Sequence, residues 1–347
     1  MMNKHTLLLL ALSPAILFAQ QNPEPIKTPQ EIQLELEEDE KLYNKALDMF
    51  NPWYTGPLLT PSANMMPPGY GNVQPYLFII DSYASFDSER VSRSNKSSEI
   101  TLNPSLSMQF GITTTMDISL AVQGFGNWQY EESGGGYGDM GITVGWPITR
   151  QGLYLPAIKF TLSQSFPTGR YQHLSTNGYG LSGTGAGAWS TRFGLAITKL
   201  LFWNTQHPLN TRLFVGYTVS TPVTVHGFNS YGGGYGTKGR VHPGGSFEID
   251  LGLEVALTQN WVLANDLVYT FQNATHFSGN PGTATPGGAV ASVGGPYSDN
   301  LSLAPAIEYN FSPNLGLLFG TQFSVYGRSS SNFASAIMSV TWTFGPM

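Results

Sequence analysis

Three groups of residues in this chain have types and spacings that could do chemistry. His173-Leu174-Ser175, with Asn177 close by, sets an imidazole base beside a hydroxyl nucleophile, the pairing that acyl transfer uses. Gly178-Tyr179-Gly180-Leu181-Ser182-Gly183 has the spacing of a dinucleotide fingerprint. The third group is a set of charged residues, Glu99, Asp117, Asp139, Lys159, Arg192, Arg212, Glu248, Asp250, Glu254, Asp266 and Glu308, in a chain where charges make up only 11%. The first two groups fail on context. A base and a nucleophile must be held rigidly in reach, whereas His173 and Ser175 lie among Gly169, Gly178, Gly180 and Gly183, a flexible loop. No helix follows the fingerprint and no βαβ unit surrounds it. The six histidines show no paired ligand spacing and cysteine is absent, so neither a metal nor another cofactor is expected. What the charged set can do depends on the elements that carry it.

Those elements have a period of two. From Ser331 to Phe344, Ala334, Ala336, Met338, Val340, Trp342 and Phe344 share one face and Ser335, Ser339, Thr341 and Thr343 the other. From Ser246 to Leu257 the odd positions are apolar and the even ones include Glu248, Asp250 and Glu254. About twelve such strands follow from Val73, near 73–86, 98–110, 115–130, 138–148, 153–166, 189–202, 209–221, 246–257, 261–272, 300–311, 315–326 and 332–344, within the even-numbered range of outer-membrane barrels. Tight turns such as Thr258-Gln259-Asn260 and Ser312-Pro313-Asn314 alternate with long polar stretches such as 167–188, 222–245 and 273–299. That asymmetry suits an up-and-down antiparallel transmembrane barrel and gives a secreted sandwich no advantage. Trp128, Trp146, Trp189, Trp203, Trp261 and Trp342 fall near strand ends, where amphipathic rings favour a membrane interface.

The remainder of the chain fits export. Met1 to Ala19 has one Lys4, an apolar stretch and a small residue before Gln20, the layout of a signal peptide over residues 1–19. Residues 20–72 read as an acidic periplasmic segment. Thr28, Pro29 and Glu31 form a helix start that runs from about 29 to 50, and a Pro- and Gly-rich stretch continues to Asn72. The barrel itself spans 73–347. It is near neutral and carries no basic patch, which argues against nucleic acid. Its partners are outer-membrane lipids and a small-molecule solute, and its oligomeric state is left open.

The alternation points the charged set inward. Lys159, Arg192 and Arg212 fall on three consecutive strands with acidic strands on either side, so a basic wall would face acidic ones. In a water-filled pore that field filters solutes. In a narrow barrel the same charges would pair and stiffen the wall.

Tyr137-Gly138-Asp139-Met140-Gly141-Ile142, then Leu155-Pro156-Ala157-Ile158-Lys159-Phe160 with Phe166-Pro167-Thr168-Gly169, then Gly183-Thr184-Gly185 before a strand, resemble the bacterial outer-membrane family labelled MetA-pathway of phenol degradation, over residues 135 to 345. The resemblance implies a passive porin-like channel for small molecules, hydrophobic or aromatic ones among them, and no enzyme. No Asp follows Gly183-Thr184-Gly185 between Ala186 and Thr191, and the chain ends in Gly345-Pro346-Met347 where the family has an aromatic. Two alternatives stay open: a structural or adhesive barrel with a closed lumen, and a lipid hydrolase using His173 and Ser175.

Overall fold

The computed structural model describes residues 27–50, 54, 56, 58–176 and 180–346, with the backbone alone for 46–50. The expected signal peptide, Asn177 and the start of the glycine fingerprint lie outside the described residues. The chain divides into two compact units, Met1–Lys41 and Leu42–Met347. Helix α1 (Pro29–Phe50) begins in the first. Its start is a reciprocal cap: the Thr28 amide donates to Glu31 Oε2 at 2.7 Å and the Glu31 amide to Thr28 Oγ1 at 3.3 Å. The Thr28 amide, and then its hydroxyl, hold the Glu31 carboxyl below the usual carboxylate range.

The second unit contains β1 (Gly71–Phe86), β2 (Ser92–Thr113), β3 (Met116–Gln129), β4 (Glu132–Tyr137), β5 (Met140–Thr149), β6 (Ala157–Phe166), β7 (Ser190–Leu201) and β8 (Leu209–Ser220). It continues with β9 (Val223–His226), β10 (Lys238–His242), β11 (Ser246–Ala256), β12 (Trp261–Gln272), β13 (His276–Asn280), β14 (Ser298–Ser312), β15 (Leu315–Arg328) and β16 (Ser330–Phe344). Twelve of these close an antiparallel barrel in the order β1-β2-β3-β5-β6-β7-β8-β11-β12-β14-β15-β16, and β16 pairs back onto β1 with Leu77 opposite Met338. Closure leaves no strand edge, which a hydrocarbon surrounding requires.

The two faces are inverted relative to a soluble protein. On β11, Leu251 and Leu253 are exposed while Asp250 and Glu254 are 2% and 0% exposed. Water would favour the reverse, so the outer surface is built for lipid. Exposed Trp146, Trp261 and Trp342 lie beside tight turns, and Trp128 and Trp189 beside long loops, forming two aromatic belts.

Differences from the sequence reading are local. β2 begins at Ser92, because its exposed polar start pairs with β1 beyond a bulge (Phe86 opposite Ser92), and polar residues on both faces show no alternation. The long loops also fold: β4 extends β3 as a hairpin, and β9, β10 and β13 form a separate three-stranded sheet. Ala188, Val223, Val225 and Val241 are its core. Strands this short, set among glycines, carry too little periodicity to register in sequence.

Candidate functional site: the barrel lumen

The described residues between α1 and β1 run inside the tight-turn end of the barrel. The Tyr54 hydroxyl donates to the Pro208 carbonyl at 3.1 Å. Leu58, 2% exposed, packs on Ala264, Ala304, Ala306, Leu318 and Ile337. The amides of Leu59 and Thr60 donate to Asp266 at 3.2 and 3.0 Å, and the Thr60 hydroxyl adds a third hydrogen bond. The chain then reaches the other side. The Ala63 amide donates to Thr198 Oγ1 at 2.9 Å, Lys159 Nζ donates to the Asn64 carbonyl at 3.3 Å, and the Met66 amide donates to Asp117 at 3.4 Å. At the exit, Gly111 bonds to Gly69 and Tyr70 so closely that a Cβ on it would lie 2.0 Å from the Pro67 oxygen.

A buried irregular segment must satisfy its backbone groups or lose stability. Pro61, Pro67 and Pro68 remove three donors outright. The amides of Leu59, Thr60, Ala63 and Met66 are taken up by wall side chains. Sequence reasoning missed this segment's role, its residues Thr60 and Ala63 with the wall partner Thr198, and Asn210, which bonds Glu254. The one available signal was a Pro-rich stretch followed by a barrel with more inward carboxylates than cations.

Most of the charged set comes together in the lumen as pairs. Lys159 Nζ lies 3.5 Å from Asp117, which also accepts from Gln109 at 2.7 Å. Arg212 Nε lies 2.9 Å from Glu254, and Asn210 donates to the same carboxylate at 2.7 Å. Arg192 meets Glu248 at 2.8 Å, with its guanidinium 4.5 Å above the Phe214 ring. Asp266 serves the inner segment. Asp250 and Glu308 are buried beside Glu248 and Glu254 respectively. Glu99 is half-buried on β2, opposite Ser82 of β1.

Asp139 does different work. Its carboxylate accepts from the amides of Gly169 and Ala186 at 2.9 and 2.8 Å, between β4 and β5. The Thr168 hydroxyl donates to Gly138 and the Thr184 hydroxyl to Tyr137, so segments that carry the family resemblance, distant in sequence, are knotted together at the long-loop end.

That end is covered by the folded loops. Inward Asn127 donates to the Leu181 carbonyl at 2.8 Å, and the Tyr231 hydroxyl donates to Ala186 at 2.8 Å. Burial, and then the nearby Asp139 charge, push the Tyr231 hydroxyl up to about 12. His173 stacks flat on His226 at 5.9 Å, part of this cover.

The wall formed by β16, β1, β2, β3 and β5 is less charged, although Asp117 lies on β3 and Glu99 on β2. It presents Ser107, Gln109, Ser119, Thr143 and Thr341 to a cavity of about 650 Å³ bounded on its other side by the inner segment.

The comparisons with known proteins rest on structure. No protein-family model and no curated protein matches the sequence. The COG4313 outer membrane channel from Pseudomonas putida F1 superposes with a TM-score of 0.64 at 12% identity, over 82% of this chain and 100% of that one. The chain has the barrel fold of an outer-membrane channel. The transport unit of the autotransporter AIDA-I from Escherichia coli (TM-score 0.41, 10% identity, 88% of this chain and 99% of that one) and the CymD monoaromatic hydrocarbon channel (0.32, 12%, 81% and 89%) align too loosely to add to this. At 12% identity the channel fold alone is shared.

Proposed function

We propose that this chain is a passive outer-membrane channel for small molecules, with the long loops outside and the tight turns facing the periplasm. The observation that carries the reading is a lumen too wide for its own side chains. About eight strands make a barrel that side chains fill, whereas twelve leave space. Here the inner segment and the cavity of about 650 Å³ share it. Hydrogen bonds to side chains hold most of that segment, so its position sets the bore. The lumen charges act chiefly as internal partners, and the more exposed pair, Arg192 and Glu248, biases ion passage.

Planar-bilayer recording tests this. The native protein should show small current steps, and Asp266→Ala, which frees three donors of the segment, should enlarge or destabilise them several-fold. No current from either protein would favour a structural barrel, a role to which the folded external sheet of β9, β10 and β13 is suited. Orientation is tested by epitope tags: Gly287 should be detected on intact cells and Asn314 should not, because loops tolerate insertion.

A further inference from the structure

We infer that the cavity beside the inner segment is a solute vestibule that takes uncharged molecules with one apolar face and one hydrogen-bonding edge. The inference rests on the channel reading and adds the chemistry of the solute. The cavity reaches from Asn314, in the tight turn between β14 and β15, up to Thr143 and Thr161 on β5 and β6. Its two sides differ in kind. The inner segment contributes Leu59, Met65 and Met66, and unbranched thioethers adapt to many shapes. The barrel contributes the hydroxyls of Ser107, Ser119 and Thr143.

Thr341 points to a ligand. It lines the cavity, is 7% exposed, and its hydroxyl has no hydrogen-bond partner among the described residues. A buried hydroxyl without a partner costs stability that a bound polar group recovers. Thr143 donates to Ser163 at 2.8 Å, so its oxygen can still accept from a solute.

Charge works against ions here. Asp117, Lys159 and Arg212 border the cavity, and each is already committed: Asp117 and Lys159 to one another, Arg212 to Glu254. An entering ion would shed water without gaining a counter-charge, whereas an uncharged solute sheds less and finds hydroxyls. The volume lies within the range of small-molecule pockets.

The test uses the whole protein in planar bilayers, with phenyl β-D-glucoside as the uncharged probe and glucuronate as the charged one, added on the tight-turn side. The glucoside should interrupt the current in a concentration-dependent way, and glucuronate at equal concentration should not. Thr143→Val with Thr341→Val should weaken the block on the order of tenfold, and Thr143→Ser with Thr341→Ser should restore it. Lys238→Gln, exposed on β10 outside the barrel, should leave it unchanged. Heat-modifiable migration on gels confirms that each variant is a folded barrel. Because the chain lacks cysteine, Thr143→Cys offers an independent readout: a small thiol reagent should reduce its current, whereas Thr198→Cys, covered by Ala63, should be inert. Equal block by both probes, or block indifferent to Thr143 and Thr341, overturns the vestibule and leaves the channel standing. Absence of current in every variant overturns both.

Discussion

The two halves of the lumen wall show opposite ways of living with a polar interior inside a membrane. From β6 through β14, the wall carries charges that are spent on each other, on Asp117 of β3 and on the inner segment: Arg212 on Glu254, Lys159 on Asp117, Asp266 on Leu59 and Thr60. From β16 through β5, apart from Asp117 on β3 and Glu99 on β2, it carries hydroxyls and amides, several of which border space. The difference follows from the cost of burying an ion, which requires a partner close by, whereas a hydroxyl tolerates a neighbour that comes and goes. The segment is anchored mainly on the charged wall, and the cavity opens mainly against the hydroxyl wall, with the already paired Asp117, Lys159 and Arg212 at its border.

Removing a single cation from the charged wall should be the harshest test. Arg212→Ala leaves Glu254, 0% exposed, without its counter-charge, and should cost about 3–5 kcal/mol in urea unfolding followed by gel mobility. An unchanged midpoint would mean that the charged wall is no more than a solvated face, and the contrast between walls would collapse. Next in size is a change of face on one strand. Leu251→Arg puts a cation on the lipid side of β11 and should cost roughly 2–4 kcal/mol near the mid-membrane, while Gln322→Arg, on the lumen side of β15, should insert normally. Equal tolerance would show that inside and outside were exchanged.

Smaller effects sharpen the picture. Thr60→Val deletes one bond to the Asp266 carboxylate, worth about 1.5–3 kcal/mol, and should appear as noisier current with the barrel intact. Quiet, native-like current would place the segment's anchorage elsewhere. Arg192→Gln touches a partly exposed pair worth about 0.2–1 kcal/mol. It should shift the reversal potential towards cations at low salt, and the shift should shrink near molar salt as screening grows.

The smallest effect lies in the loop between β1 and β2. Asp87 accepts from the Val91 amide at 2.9 Å and from Arg93 at 2.7 Å, and these bonds, the Val91 amide first, hold its carboxyl below the usual range. A depressed folded value means the turn's support is complete above the ordinary Asp value of about 3.9 and drains away as pH falls through the lower one. Amide exchange at Val91 should therefore quicken only in strong acid, while the Thr60 amide stays protected. If Val91 exchanged equally fast at neutral pH, Asp87 would not be holding this turn.

How much of this could be read along the chain depends on range. Alternation is a property of neighbours two residues apart, so the twelve barrel strands and most of their inward and outward faces were legible in sequence. So was the helix start at Thr28, from its capping residues, whereas the short β4, β9, β10 and β13 were not. The inward direction of Glu254 and Arg212 was equally legible, because it follows from position within a strand. Their pairing was not: it requires β8 and β11 to lie side by side in a register that places Asn210 opposite Glu254. The inner segment was the least legible part. Its prolines and amides have no period, and its buried position depends on partners as distant as Asp266 and Thr198, which only closure of the barrel brings within hydrogen-bonding distance. Asp139 shows the same limit, since its strand position implied the lumen while the folded loops of 167–188 came to meet it. Local periodicity decides which way a side chain points; tertiary structure decides what it finds there, because that depends on chain separated by tens to hundreds of residues.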